Sequence, residues 1–161
     1  MSKVIDILKH RNYVLLHSSN EFTLMKDENE NNIIIFICND NLTINFLKVY
    51  IKHMNDSNIT HSIVIYKDKI TPSAKKVIET TELDIETFTT IEMSIDITKH
   101  KYYCPHIKVE NHEANLLATK YGTKLPIILK TDPVVKILNF KKGDILKIIR
   151  KNNYVHYRIV K

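Results

Sequence analysis

Two short apolar runs, Ile33–Cys38 (IIIFIC) and Ile63–Tyr66 (IVIY), bracket a stretch whose hydrophobic period differs from theirs. Each run is β-branched and only a few residues long, which predicts a buried strand rather than a helix. From Thr43 the period becomes helical. Ile44, Leu47, Ile51 and Met54 recur on one face, Phe46 and Tyr50 widen the stripe, and Lys48 and Lys52 fall outside it. Such a stripe buries itself against a sheet. A second helix follows, opened by Thr71-Pro72 and running to about Thr80. Strand, helix, strand, helix in that order predicts a small two-layer or three-layer α/β domain.

Upstream, residues 3–10 (KVIDILKH) form a short helix with Val4, Ile7 and Leu8 on one face. Tyr13–His17 is a strand and Lys26–Asn32 (KDENENN) a polar, hairpin-like turn. Downstream, Ile85–Ile97 supplies one or two strands and leads into a second unit. There Val109–Tyr121 is a helix ended by Gly122 as its left-handed cap. Asp132-Pro133 opens a short helix, PVVKILNF, and Lys142-Gly143-Asp144 makes a turn. Ile145–Arg150 and Tyr154–Val160 are strands joined by a Lys151–Asn153 hairpin loop. The expected fold class is α+β / α/β, with domains at 1–91 and 92–161, the second a small two-layer α/β unit.

Several chemistries are excluded by what the chain lacks. With two glycines, Gly122 and Gly143, neither a G-x-G-x-x-G fingerprint nor a P-loop can be written. G-x-S-x-G and H-E-x-x-H are absent too. Two cysteines make no disulfide framework and suit a reducing compartment. No apolar run approaches the ~18–20 residues that span a bilayer, and Asp6 and Lys9 interrupt any secretory signal. His100-Lys-Tyr-Tyr-Cys104-Pro-His106, with His112 beyond, offers nitrogen and sulfur ligands. Its spacing matches no common zinc module, and it reads as packing and hydrogen-bonding residues. No cofactor or small-molecule substrate is expected. The enzymatic alternative is a stand-alone basic nucleic-acid-binding or nuclease-like factor, with Asp68 beside Lys69, or Asp84 and Glu86, as metal-binding pieces.

A net charge of +6 and a pI near 9.2 call for a polyanion or an acidic protein surface. The 21 Lys against 3 Arg, with abundant Ile and Asn, equally reflect an AT-rich genome. From Lys141 to Lys161 seven basic residues stand against one acid, Asp144. Ile145, Ile148, Ile149, Tyr157 and Ile159 thread between them, as one core face and one basic face of a strand pair would. A second concentration of charge lies at Thr71-Pro-Ser-Ala-Lys75-Lys76. There two lysines occupy the first turns of a helix, where its dipole prefers acids by roughly 0.3–1 kcal/mol.

The order of these words resembles a known family. NITHSIVIY (58–66), ITPSAKK (70–76), IETF (85–88) and DITKHKYYCPHIKV (96–109) are followed by LPIILKTDPVVKILNFKKGDILKIIRK (125–151) and YVHYRIVK (154–161). Together they are similar to the jaw-and-assembly subunit shared by the eukaryotic nuclear RNA polymerases, whose C-terminal part corresponds to one of the small subunits of archaeal RNA polymerase. The resemblance covers residues 43–161, is densest over the last 70, and thins before residue 43, where eukaryotic members carry a longer helical region. Cys104 stands about where the family has Pro in H-x-x-x-P-x-H, with Pro105 one place later.

The resemblance implies a non-catalytic polymerase subunit with an N-terminal jaw and a C-terminal assembly domain. By residue, it implies docking on the largest subunit through Leu125, Pro126, Asp132, Pro133, Gly143, Asp144, Lys147, Arg150, Tyr157 and Arg158. It also implies a jaw edge beside downstream double-stranded DNA at Thr71, Pro72, Ser73, Lys75 and Lys76. A short chain with this composition fits a large DNA virus encoding its own polymerase, hence virion and host cytoplasm. A cellular AT-rich genome would place it in the nucleus.

Overall fold

The computed structural model describes residues 2–19, 21–121 and 124–161, and the chain divides into two units, Met1–Ile95 and Asp96–Lys161. The first contains α1 (Ser2–Leu8), β1 (Val14–Ser18), β2 (Phe22–Lys26), β3 (Asn32–Ile37), α2 (Ile44–Asp56), β4 (His61–Tyr66), α3 (Pro72–Thr80) and β5 (Asp84–Thr89). Its five strands form one sheet in sequence order. Tight turns join β1, β2 and β3, so these pair antiparallel. Helical crossovers join β3, β4 and β5, so these pair parallel.

Strand alternation sorts the core. Ile34, Phe36, Val64 and Ile85 pack with Leu47 and Met54 of α2 and Ala74 of α3. Phe36 also stacks on Tyr50 of α2 at 4.3 Å. The intervening Ile33, Ile35, Ile63, Ile65 and Phe88 are equally buried on the other face. Arg11, in the short turn after α1, lies over the Phe88 ring there. The parallel strands are thus covered on both faces, a three-layer arrangement, which is why IIIFIC and IVIY read as unbroken apolar runs.

One part of this unit differs from the sequence reading, and another narrows it. β2 (FTLMK) escapes it because buried Thr23 alternates with half-buried Phe22 and Leu24, leaving no apolar period of two. Ile85–Ile97 yields one strand that stops at Thr89. The Glu92 carboxylate there accepts from the Thr89 N–H at 2.7 Å and its hydroxyl at 3.1 Å. Two single-turn 3-10 segments follow, Glu92–Ser94 and Ile97–Lys99.

The second unit contains β6 (His106–Lys108), α4 (Asn111–Tyr121), β7 (Ile127–Ile128), α5 (Pro133–Ile137), β8 (Ile145–Ile149) and β9 (Val155–Val160), with sheet order β6-β8-β9-β7. Ile128, Val135, Leu146 and Val160 form its core. The three-residue β6 and two-residue β7 are too short to announce themselves by pattern. Gly122, read as the cap of α4, lies outside the described residues. α5 is shorter than PVVKILNF because Asn139 takes a positive φ of 55° and turns the chain. The hairpin between β8 and β9 turns on Asn152 and Asn153, at φ 64° and 58°, a conformation Asn tolerates better than most residues.

Candidate functional site

The helix start at Thr71 is built as a cap. Thr71 Oγ1 accepts from the Ala74 N–H at 3.4 Å, and Pro72 follows as the first helical residue. The Thr71 N–H donates to Leu42 O at 3.0 Å, tying the cap to the loop that precedes α2. Pro72, Ser73, Lys75 and Lys76 are all exposed. Lys75 Nζ lies 3.9 Å from Glu79 one turn on, and both side chains are more than 60% exposed. Lys76 makes no ion pair among the described residues. The structure therefore gathers Thr71, Pro72, Ser73, Lys75 and Lys76 on one solvent-facing helix end.

The C-terminal residues fall on opposite faces of the small sheet. Register places Lys147 opposite Tyr157 and Leu146 opposite Arg158, and successive strand residues alternate in face. Lys147 and Tyr157 therefore share a side with α4. The Tyr157 hydroxyl donates to Glu113 Oε1 at 2.9 Å, and Lys147 Nζ approaches the same oxygen at 4.0 Å. That hydrogen bond to Glu113 pushes the phenol of Tyr157 above its ordinary value.

Asp132, Arg150 and Arg158 instead line a cavity of about 990 Å³ on the other side. The Asp132 carboxylate faces the start of α5, accepting from Val134 N at 2.9 Å and Val135 N at 3.4 Å. Arg158 donates to Ile127 O at 3.1 Å.

The remaining predicted residues hold the frame. Leu125 is buried. The Pro126 carbonyl accepts from Ile159 N at 2.9 Å, and Pro133 opens α5. Gly143 sits at φ +94°. Beside it, Asp144 accepts from Lys141 N at 2.8 Å and pairs with Lys108 at 2.8 Å.

Four further cavity residues, Lys101, Tyr102, Lys151 and Tyr154, were not picked out from the sequence as site residues. The available signal was the clustering of K-Y-Y at 101–103 with K-N-N-Y at 151–154. It became visible only when β6 and β8 paired and brought the two stretches together.

Asp84 and Glu86, named for hydrolysis, lie two residues apart on β5. Glu86 is held by Arg11 at 2.8 Å through both oxygens and by His61 at 2.7 Å. Burial would raise its carboxyl, but the hydrogen bonds from His61 and Arg11 and the Arg11 charge outweigh this and hold it at about 2. Glu86 is level with Ile63 across the β4–β5 pair. Asp68 lies past the end of β4, in the bend that follows Tyr66. His106 Nδ1 donates to Cys104 O at 2.6 Å and His100 Nδ1 accepts from Tyr102 N at 3.3 Å. Among the described residues no three metal-ligating side chains gather.

Residues 95–160 match the family model described as RNA polymerase Rpb5, C-terminal domain. The chain is 28% identical over 144 residues to the DNA-directed RNA polymerases I, II, and III subunit RPABC1 of Caenorhabditis briggsae, and equally so to that of Caenorhabditis elegans. The match covers 83% of this chain and 68% of each relative. Among solved structures, an ATP-dependent Type ISP restriction-modification enzyme, LlaBIII bound to DNA, overlays with a TM-score of 0.46 and 15% identity. That overlay covers 84% of this chain and 12% of the other, and a likeness so loose carries no argument. The family match spans nearly all of the unit Asp96–Lys161, so the likeness to the Rpb5 C-terminal domain rests on that unit.

Proposed function

We propose that the chain is a non-catalytic subunit of a multisubunit DNA-directed RNA polymerase, contributing to assembly and not to the nucleotidyl-transfer chemistry. The observation that carries this reading is the family match of residues 95–160, seated on a separately folded unit. Similarity to RPABC1 extends it over most of the chain. The partner in this reading is the polymerase core, and specifically its largest subunit, met by the C-terminal unit through Arg150 and Arg158 on one face of its small sheet and Lys147 and Tyr157 on the other. The N-terminal unit is the jaw, with Thr71, Pro72, Ser73, Lys75 and Lys76 beside entering duplex DNA. Phosphate contacts there are sequence-independent and salt-sensitive; because Pro72 has no N–H and Thr71 takes up that of Ala74, they fall to the lysines.

The lysine, isoleucine and asparagine bias supports a viral polymerase acting in virion and host cytoplasm. For a cellular source the compartment is the nucleus, as the relatives' assignment to RNA polymerases I, II and III suggests. The test is affinity purification of the tagged chain from its native source. Stoichiometric recovery of the two large polymerase subunits is expected, and a chain repeatedly isolated without them ends the proposal.

A further inference from the structure

The lining of the cavity in the C-terminal unit carries an excess of positive charge. Four cations line it: Lys101, Arg150, Lys151 and Arg158. None makes an ion pair with a carboxylate among the described residues. The one carboxylate in the lining, Asp132, already accepts the N–H groups that open α5. Clustered cations in excess of their counter-charge repel one another and are stabilised by an anionic occupant.

The lining is also graded by depth. Ile128, Val134 and Ile148 are 5–8% exposed and form the floor. Lys101, Tyr102, Arg150, Lys151 and Tyr154 are exposed and form the rim. Two rim lysines bracket the Tyr102 ring, Lys101 at 4.8 Å and Lys151 at 5.8 Å from its centroid. Tyr154 stands edge-on to His156 at 4.7 Å.

A phosphate backbone would use the rim but has no apolar group for the floor. A peptide with acidic side chains around one aromatic or aliphatic anchor uses both. A cavity of about 990 Å³ accepts a short peptide segment, at the upper end of the usual size of ligand pockets.

We propose that this cavity is a receptor for an acidic peptide segment with a central apolar anchor, presented by the protein on which the C-terminal unit docks. This rests on the reading of that unit as a polymerase assembly module and names the chemistry its partner must offer. The anchor fills the floor formed by Ile128, Val134 and Ile148. The flanking carboxylates meet Arg150 and Arg158 on one side and the Lys101–Lys151 pair on the other. Charge-assisted contacts of this kind weaken with added salt, whereas the anchor's burial does not.

The test uses the full chain and a fluorescein-labelled decapeptide of Asp and Glu residues around one central Phe. Its controls are a peptide with Ser in place of that Phe, a peptide with Lys in place of the acids, and a short duplex oligonucleotide. Binding of the acidic peptide is expected, weakening about tenfold or more for Arg150→Glu and for Lys101→Glu/Lys151→Glu. All three positions are exposed, so folding is preserved and is checked by circular dichroism. The Ser peptide is expected to bind about tenfold more weakly than the Phe peptide, and the Lys peptide not at all.

Equal affinity for the Phe and Ser peptides overturns the proposal by reducing it to diffuse charge attraction. Tighter binding of the duplex, lost in the same variants, overturns it in favour of nucleic acid. If the chain copurifies with the polymerase core yet ignores the acidic peptide, the receptor proposal fails while the assembly reading stands. If the peptide binds as described but the core does not copurify, the receptor stands and the assembly reading fails.

Discussion

Arg11 and Glu86, far apart in sequence, form a two-point ion pair with both contacts at 2.8 Å. The Arg11 side chain is only 3% exposed and Glu86 13%. His61 adds a third contact to the same carboxylate at 2.7 Å, and the guanidinium lies over the Tyr13 and Phe88 rings. The pair clamps the turn after α1 onto the face of the sheet opposite α2 and α3. It also occupies the carboxylate that a hydrolytic reading would need for metal binding, so a catalytic reading and the structure compete for the same atom.

Removing one member of such a pair costs more than removing both, because the survivor remains buried and charged. Arg11→Met should lower unfolding stability by about 3–5 kcal/mol. Arg11→Met/Glu86→Leu should recover part of that loss. Urea unfolding of the two variants and the parent measures both. A double variant as unstable as Arg11→Met alone would show that the guanidinium contributes by packing on Tyr13 and Phe88 instead.

The same pair sets an acid limb. Glu86 titrates at about 2 in the folded chain against an ordinary 4.5. The unfolded chain therefore binds the proton first, and the stabilisation is present above about 4.5 and lost as pH falls toward 2. The loss is on the order of a few kcal/mol. Glu86→Gln should be less stable at neutral pH and lose less between about pH 6 and pH 3 than the parent. Equal losses in the two proteins, followed by urea unfolding at both pH values, would place the acid sensitivity elsewhere.

Gly143 isolates a backbone effect. Its φ is +94°, and a Cβ added there meets no atom within 4 Å. Gly143→Ala should therefore cost about 1–2 kcal/mol through conformation alone, with no steric contribution. The turn it serves aligns the Gly143 N–H on Val160 O at 2.9 Å, so the loss should appear as a lower thermal midpoint. Lys142→Ala, at an exposed position beside it, should stay within about 0.5 kcal/mol of the parent.

Legibility in the sequence followed the strength of local rules. Thr71-Pro72 and Asp132-Pro133 declare helix starts by cap chemistry, and both helices begin there. Ile33–Cys38 and Ile63–Tyr66 declare buried strands because both faces of their sheet are covered. β2 was hidden because Thr23, fully buried, breaks the apolar pattern, and β6 and β7 because two or three residues carry no period. Which of the expected site residues share a face was not legible. Asp132, Arg150 and Arg158 line one cavity while Lys147 and Tyr157 turn to the opposite face. The partition depends on strand register between β8 and β9, a long-range property that neither composition nor spacing encodes.

Lys75 and Lys76 test the proposed jaw. Lys75 reaches Glu79 at 3.9 Å with both side chains more than 60% exposed, and such a surface pair is worth little to the fold. Lys76 has no ion-pair partner among the described residues, and the two lysines are the fourth and fifth residues of α3, where the helix dipole has largely faded. Their cost to the isolated helix is small, so exchanging them for acids should leave folding and assembly intact. Lys75→Glu/Lys76→Glu should copurify with the polymerase core as the parent does. The reconstituted enzyme should engage downstream duplex more weakly, with a salt slope shallower by up to about two phosphate contacts. Unchanged engagement across the salt series would make the two lysines ordinary solvated surface, and lost copurification would move them from the DNA edge to the assembly interface.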